Sequence, residues 1–152
     1  MQIRAFRPAD TDAVVALWHE CGLTRPWNDP HRDIERKLAV QPEMFLVGTE
    51  PAEPADTADP DGTAEEVVVA TAMAGHEGHR GWLWYVAVAS SHRGGGRARR
   101  IVAEAERLLL EAGCPKVQLM VRAGNDSAEA TWGSLGYEVS DVVVYGKRLV
   151  ED

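Results

Sequence analysis

The sequence predicts one domain of the α/β class, built from about seven strands and about four helices. The chain has 152 residues, a length that suits one domain with one buried core. Hydrophobic residues make up 45% and charged residues 26%, as in folded globular proteins. Along the chain, hydrophobic periods of two residues alternate with periods near 3.6, and no internal repeat is present. We therefore predict a single domain over residues 1–152.

The first half of the chain alternates between strand and helix patterns. The predicted strands are Gln2–Arg7 and Met44–Thr49, and the predicted helices run from Asp10 or Asp12 to Cys21 and from Pro30 to about Val40. Either aspartate can cap the first helix, Pro30 suits the first turn of the second, and Pro42 closes it. The predicted apolar face of the first helix consists of Ala13, Val14, Leu17 and Trp18.

An acidic, proline-rich stretch from Glu50 to Glu66 separates the two halves. It contains seven acids, three prolines and no base, whereas the other residues hold 17 acids and 16 bases. Such a composition cannot bury apolar area, so it predicts a surface loop, which we expect to be the most mobile part of the chain.

The second half continues the alternation. The predicted strands are Val67–Gly75, Gly81–Ala89, Lys116–Arg122, Val139–Val144 and Tyr145–Val150, and the predicted helices are Arg97–Ala112 and Asp126–Leu135. The short polar segment between Gly75 and Gly81 predicts a hairpin, and Asp126 with Glu129 is typical of a capping box.

Composition also argues against several classes of function. The net charge of -8 disfavours a nucleic-acid partner, and no apolar run approaches the roughly 20 residues of a membrane span. The first residues lack the pattern of a signal peptide, and the two cysteines form neither a disulfide framework nor a zinc motif. We expect a cytoplasmic protein with no nucleic-acid, membrane or metal partner.

The most informative stretch is a strand, a glycine turn and a helix. Three glycines, Gly94, Gly95 and Gly96, precede the predicted helix, and four arginines lie within eight residues: Arg93, Arg97, Arg99 and Arg100. A glycine turn before a helix start can bind phosphate, because the first helical N–H groups are unpaired and carry partial positive charge. The Walker A and Rossmann patterns are both absent, so a nucleotide site of either kind is disfavoured.

This stretch resembles the cofactor motif of the GNAT acetyltransferases. Arg93, Gly96 and Ala98 occupy its fixed positions, and Val86-Ala87-Val88 matches the apolar strand before it. The later Asn125 and Leu135-Gly136-Tyr137 match the family's Asn and Gly-aromatic elements. Other segments resemble the bacterial YpeA-like subgroup, among them Leu23–Pro30, Asp33–Lys37, Gly78–Gly81, Gly113–Lys116 and Gly146–Leu149.

The resemblance implies a mixed, mostly antiparallel sheet with helices on both faces, in which two central strands splay to admit acetyl-CoA. Backbone groups of Val86 and Val88, in the predicted strand Gly81–Ala89, would pair with the pantetheine amides, and the glycine turn would hold the pyrophosphate. The residues implied to bind acetyl-CoA are Val86, Ala87, Val88, Arg93, Gly94, Gly95, Gly96, Arg97, Ala98, Arg99 and Asn125. Arg97 departs from the family's usual aliphatic residue, so a core contact is missing or the side chain turns outward.

The proton-transfer residues of the family do not carry over to this chain. Trp132 stands where a general-acid tyrosine is frequent, and Met120 stands where some members have a glutamate. A thiolate can still leave unaided, and an α-amine needs little help to become neutral. The base candidates lie in the predicted hairpin, namely His76, Glu77 and His79, of which Glu77 is preferred. Tyr85 on the strand is the second candidate, and an ordinary polar turn is the alternative for the hairpin residues.

The acceptor side is expected in the segment Leu23–Pro30, between the first two helices. Trp27 offers an apolar wall and Asn28 and Asp29 offer polar anchors, although Trp27 could pack locally and either polar residue could cap the next helix. The leading hypothesis is an acetyl-CoA-dependent N-acetyltransferase for a primary amine of a small molecule or protein, with a homodimer possible. The alternative is a GNAT-fold acyl-CoA-binding module with weak or lost catalysis.

Overall fold

Five strands and four helices make up the part of the chain that the computed structural model describes, residues 1–52 and 66–150. The strands are β1 (Gln2–Ala5), β2 (Phe45–Pro51), β3 (Glu66–His76), β4 (Gly81–Val88) and β5 (Val117–Leu119). The helices are α1 (Thr11–Glu20), α2 (Pro30–Leu38), α3 (Arg97–Glu111) and α4 (Asp126–Ser134).

The strands form one sheet in the order β1-β2-β3-β4-β5. The first four pair antiparallel, and β5 joins β4 in parallel. This arrangement confirms the predicted fold class and the hairpin between β3 and β4. The parallel pair follows from the crossover through α3, which returns the chain to the sheet in the same direction.

The strand count is lower than the sequence predicted. The strand predicted over Lys116–Arg122 shrinks to β5, and none of the described residues from Val139 to Val150 forms a strand. Side chains of that last segment, such as Val139 and Tyr145, are exposed. The prediction rested on β propensity, which stabilises a strand only when a neighbour pairs with it and buries one face.

Two apolar clusters cover the two faces of the sheet. On one face α3 packs Ile101, Ala105 and Leu109 against the sheet. On the other face α1 and α2 enclose residues that include Phe6, Val14, Val15, Trp18, Ile34 and Phe45. The predicted face of α1 needs one correction, because Val15 is buried and Ala13 is exposed.

The ends of the predicted acidic loop belong to the sheet. Pro51 pairs with Glu66, and Glu50 pairs with Val67, so strand pairing extends further than the composition suggested. Residues 53–65, where the rest of that loop was predicted, lie outside the described residues. Among the residues that are described, no helix is both long and apolar enough to cross a membrane.

Candidate active site

A bulge in β4 marks the start of the site. Tyr85 has a φ of +49°, and the register between β3 and β4 shifts by one residue beside it. Such a conformation costs on the order of 1–3 kcal/mol for a residue with a side chain, so the surroundings must stabilise it. Thr71 donates to the Tyr85 carbonyl at 2.8 Å and accepts from Trp18 Nε1 at 3.0 Å. The Trp18 and Tyr85 rings stack at 3.9 Å, so α1, β3 and β4 together stabilise the bulge.

Beyond the bulge, β4 separates from β5. The two strands pair over Gly81–Leu83 and Val117–Leu119, and no pairing between described residues continues past them. The Ala89 N–H donates to Val69 in β3. Because successive backbone groups of a strand alternate in direction, the groups of Val86 and Val88 point away from β3, into the opening. Ala87 instead faces β3, and its side chain is buried.

The opening leads to the start of α3. Gly96 precedes the helix with a φ of +72°, and Gly94 has a φ of +80°. A Cβ placed on either glycine would meet no atom within 4 Å, so the backbone borders open space. The first N–H groups of α3 have no partner within the helix. This geometry fits a pyrophosphate, whose oxygens accept from backbone N–H groups at a helix start.

The arginine side chains near this turn are engaged elsewhere in the protein. Arg97 donates to both carboxylate oxygens of Glu50 at 2.7 and 2.8 Å, so it turns away from the core, one of the two expected outcomes. Arg99 donates to the Ser134 carbonyl at 2.8 Å, and Arg93 donates to the Val88 carbonyl at 3.3 Å. Arg100 donates to the Met1 carbonyl at 2.6 Å, so each of the four guanidinium groups contacts another part of the protein.

Comparison with known proteins identifies the family. The sequence profile described as the acetyltransferase (GNAT) family matches residues 13–137. The chain belongs to the GNAT acetyltransferase family. An acetyltransferase of Pectobacterium atrosepticum is 42% identical over 152 residues, which are 100% of this chain and 98% of that protein. Family membership gives the general activity as acetyl transfer.

Solved structures show the same GNAT fold. The apo aminoglycoside 6'-N-acetyltransferase of Acinetobacter haemolyticus matches with a TM-score of 0.67 and 17% identity, over 99% of each chain. The aminoglycoside N-acetyltransferase AAC(6')-Iy, solved in complex with CoA, matches with a TM-score of 0.64 and 20% identity, over 97% of this chain and 99% of that one. At these identities the likeness shows the fold alone.

Asn125 has a structural role in this GNAT chain. Its side chain accepts from the Ala128 N–H at 3.2 Å and so caps α4. The sequence placed a capping box at Asp126, one residue too late. The cap occupies the side-chain oxygen of Asn125. The expected contact of Asn125 with the pantetheine arm stays a prediction.

The two positions of the missing proton-transfer residues lie in one cavity. Met120 and Trp132 both line a cavity of about 1170 Å³ between β5, α4 and residues 138–144. Tyr137, in the same wall, donates to Glu106 at 2.7 Å. Burial and this hydrogen bond raise the pKa of the Tyr137 hydroxyl far above its usual value, so it keeps its proton at neutral pH.

Glu77 lies in the turn between β3 and β4. Its carboxylate accepts from the Arg80 N–H at 2.9 Å. Partial desolvation acts to raise the pKa of the Glu77 carboxyl. Hydrogen bonds from the backbone of Glu77 and Arg80 and from the Trp82 side chain outweigh it, so the pKa is lowered. At about 3.3 Å per residue, the strand from Gly81 to Tyr85 spans roughly 13 Å. The structure therefore does not bring Glu77 to the opening, and its role as a base stays a prediction that the geometry disfavours.

Of the three predicted acceptor residues, Asn28 makes the most informative contacts. Asp29 caps α2 by accepting from the His31 N–H at 2.9 Å, which is the structural alternative for that residue. Trp27 is 56% exposed. Asn28 donates to Asp33 Oδ2 at 3.0 Å.

Sequence reasoning missed Asp33 as a site residue. Its Oδ2 also accepts from the Tyr85 hydroxyl at 2.7 Å, and its Oδ1 accepts from Arg36 at 2.9 Å. Tyr85 and Asp33 are 52 positions apart in the chain, so no local pattern could have paired them. Asp33 thus joins the segment between α1 and α2 to the bulge in β4.

Proposed function

We propose that this chain is an N-acetyltransferase that uses acetyl-CoA and acts on a primary amine. The observation that supports this most is the opening between β4 and β5, which ends at the bare N-terminus of α3. Family membership supports acetyl transfer. An aminoglycoside N-acetyltransferase of the same fold was solved in complex with CoA, which supports the choice of donor.

The backbone would do most of the binding. The outward-facing groups of Val86 and Val88 would pair with the pantetheine amides as an added strand does. The N–H groups of Gly94–Arg99 would hold the pyrophosphate. The Val88 carbonyl accepts from Arg93 Nε at 3.3 Å, so Arg93 would have to give up this hydrogen bond where a pantetheine amide binds that carbonyl.

The reaction needs little proton transfer from the protein. The nitrogen of a neutral amine attacks the thioester carbonyl carbon, a C–N bond forms, and the C–S bond breaks. CoA leaves as a thiolate with a pKa near 8.5, and the proton lost by the amine goes to water or to the thiolate. A backbone N–H near Val88 would polarise the carbonyl, as the family resemblance implies.

A second candidate function is acyl-CoA binding with weak or lost catalysis. The specific observation that favours it is the shared cavity of Met120 and Trp132, since neither side chain can move a proton. The two candidates differ in turnover. Release of free thiol from acetyl-CoA in the presence of an amine panel supports the enzyme, whereas binding without release supports the module.

The binding site is tested by Gly96→Asp, with Gly113→Asp as the matched control. Both glycines have positive φ, a Cβ added to either would meet only open space, and they lie at opposite ends of α3. We expect acetyl-CoA to raise the Tm of the wild type more than NAD or ATP does. Gly96→Asp should weaken acetyl-CoA binding at least about tenfold, or about 1.4 kcal/mol, because its charge faces the phosphates.

Gly113→Asp carries the same backbone strain and the same charge at the other end of the helix. It should lose stability but keep the affinity for acetyl-CoA. Equal affinities of Gly96→Asp and the wild type would show that the phosphates bind elsewhere.

A further inference from the structure

A second, smaller cavity lies beside the segment between α1 and α2. It is shallow and open to solvent, with a volume of about 440 Å³, and the residues that line it from Gly146 to Val150 are all exposed. Its lining includes the cationic side chains of Arg36, Lys147 and Arg148. Arg36 forms an ion pair with Asp33 at 2.9 Å, so Lys147 and Arg148 are the two cations that this wall can offer to a ligand.

Hydrogen bonds connect the wall of this cavity to the bulge in β4. Arg148 donates to Asn28 Oδ1 at 3.1 Å, and Asn28 donates to Asp33 at 3.0 Å. Asp33 in turn accepts from the Tyr85 hydroxyl at 2.7 Å. The cavity is therefore joined through three hydrogen bonds to the strand residue that precedes the opening for acetyl-CoA.

The charges around the cavity favour an anion over a cation. Asp33, the carboxylate in this series of hydrogen bonds, already accepts from Asn28, Tyr85 and Arg36. Its charge is therefore compensated within the protein. Lys147 and Arg148 offer N–H donors that match carboxylate or phosphate oxygens, and guanidinium groups bind both in paired fashion. Leu149, in the same wall, provides apolar surface for a short carbon chain.

We propose that this cavity is the acceptor pocket and that it selects a small primary amine carrying a carboxylate or phosphate group. The proposal rests on the proposed function and deepens it by naming the class of acceptor. The anion would contact Lys147 and Arg148, and the amine would extend from there towards Tyr85 and the opening.

The test compares matched amines that differ in one charge. The pairs are phosphoethanolamine with ethanolamine, and 4-aminobutyrate with 4-aminobutanamide, with rates corrected for the neutral fraction of each amine. We expect kcat/KM to be at least about tenfold higher for the anionic member, and this preference to fall as salt is added. A preference for only one of the pairs assigns the anion as phosphate or as carboxylate. A short peptide with an acidic N-terminal residue is a further arm, and faster turnover of the peptide than of every small amine would overturn the small-molecule proposal.

Lys147→Gln and Arg148→Gln should reduce the preference, because KM should rise more for the anionic member of each pair than for its neutral partner. Arg107→Gln is the control, because Arg107 lies on α3 and pairs with Glu104 and Glu111. Equal rates within each pair would overturn the pocket and leave the acetyltransferase intact. If no amine is acetylated, binding titrations with phosphoethanolamine and ethanolamine still test the pocket. Tighter binding of phosphoethanolamine, lost in Lys147→Gln, supports the pocket, and equal affinity for the two amines refutes it.

Discussion

One residue of β4, Tyr85, has a backbone conformation that interrupts the regular strand. Its positive φ depends on the hydroxyl of Thr71, which is fully buried and bonded to both Trp18 and the Tyr85 carbonyl. Thr71→Val keeps the shape of the side chain and leaves the Trp18 N–H and the Tyr85 carbonyl without this partner. We expect a loss of about 1–3 kcal/mol in the free energy of unfolding, because the Trp18 N–H is fully buried and loses its acceptor. The bulge should also relax, so KM for acetyl-CoA should rise.

Thr49→Val is the matched control for this prediction. Thr49 is equally buried, in the neighbouring strand β2, but its Oγ1 has no hydrogen-bond partner among the described residues. Replacing it removes an unsatisfied hydroxyl, so the control should be neutral or stabilising. Urea unfolding measures both variants. Equal effects of the two substitutions would mean that the Thr71 hydroxyl does not stabilise the bulge.

At the residue scale, sequence reasoning located backbone sites better than side-chain contacts. The glycine turn before α3 and the strand Val86–Val88 were visible because their signals are local. The contacts of Asp33 with Tyr85 and of Arg97 with Glu50 join residues 52 and 47 positions apart. Their partners depend on the register of the sheet, and a single sequence does not specify which side chains that register brings together.

Among the elements, α3 is joined to strand β2 by the ion pair between Arg97, its first residue, and Glu50. The two hydrogen bonds from Arg97 lower the pKa of Glu50 to about 2, with partial desolvation opposing and the Met1 amino group contributing. A carboxylate whose pKa is lower in the folded state stabilises the protein above its unfolded pKa, near 4.5. This contribution disappears as the pH falls from about 4.5 towards 2.

Glu50→Gln tests this attachment. The variant should have a lower Tm than the wild type at pH 7, and the difference should vanish as the pH falls through that window. Glu111→Gln, which breaks an exposed ion pair within α3, should change stability by no more than about 1 kcal/mol. Because Arg97 is the first residue of α3, KM for acetyl-CoA should rise in Glu50→Gln with kcat unchanged. A constant difference in Tm from pH 7 to pH 2 would contradict the ion pair.

The elements differ in how well their sequences specify them. The helices α1 and α3 follow a periodic pattern and bury one face, whereas β2 and β3 are apolar runs whose two faces are both buried. The last segment, Val139–Val150, has β-forming residues, but every residue in it is exposed, so neither face is buried. Local propensity therefore predicted strands there that the described structure does not form.

At the scale of the whole molecule, the two ends of β4 have separate tasks. The turn with Glu77 lies at the start of the strand, whereas the opening and the helix start lie beyond its bulge. The positions where the family often has proton-transfer residues hold Met120 and Trp132. We therefore expect the protonation of the amine, and not that of an enzyme group, to set the pH dependence of catalysis.

The pH profile of kcat/KM tests this separation. For an amine with a pKa near 8, log kcat/KM should rise with a slope of one and level off near that pKa; for a lysine-like amine, it should rise towards about pH 10.4. Glu77→Gln should keep both the profile and, within about threefold, kcat, since the carboxylate supports a turn far from the reacting atoms. Tyr85→Phe should raise KM, because Asp33 loses a donor, and leave the slope unchanged. A plateau below the pKa of the amine that disappears in Glu77→Gln or in Tyr85→Phe would instead identify that side chain as the base, because an enzyme group that removes the proton of a bound ammonium makes the rate follow its own ionisation and not that of the free amine.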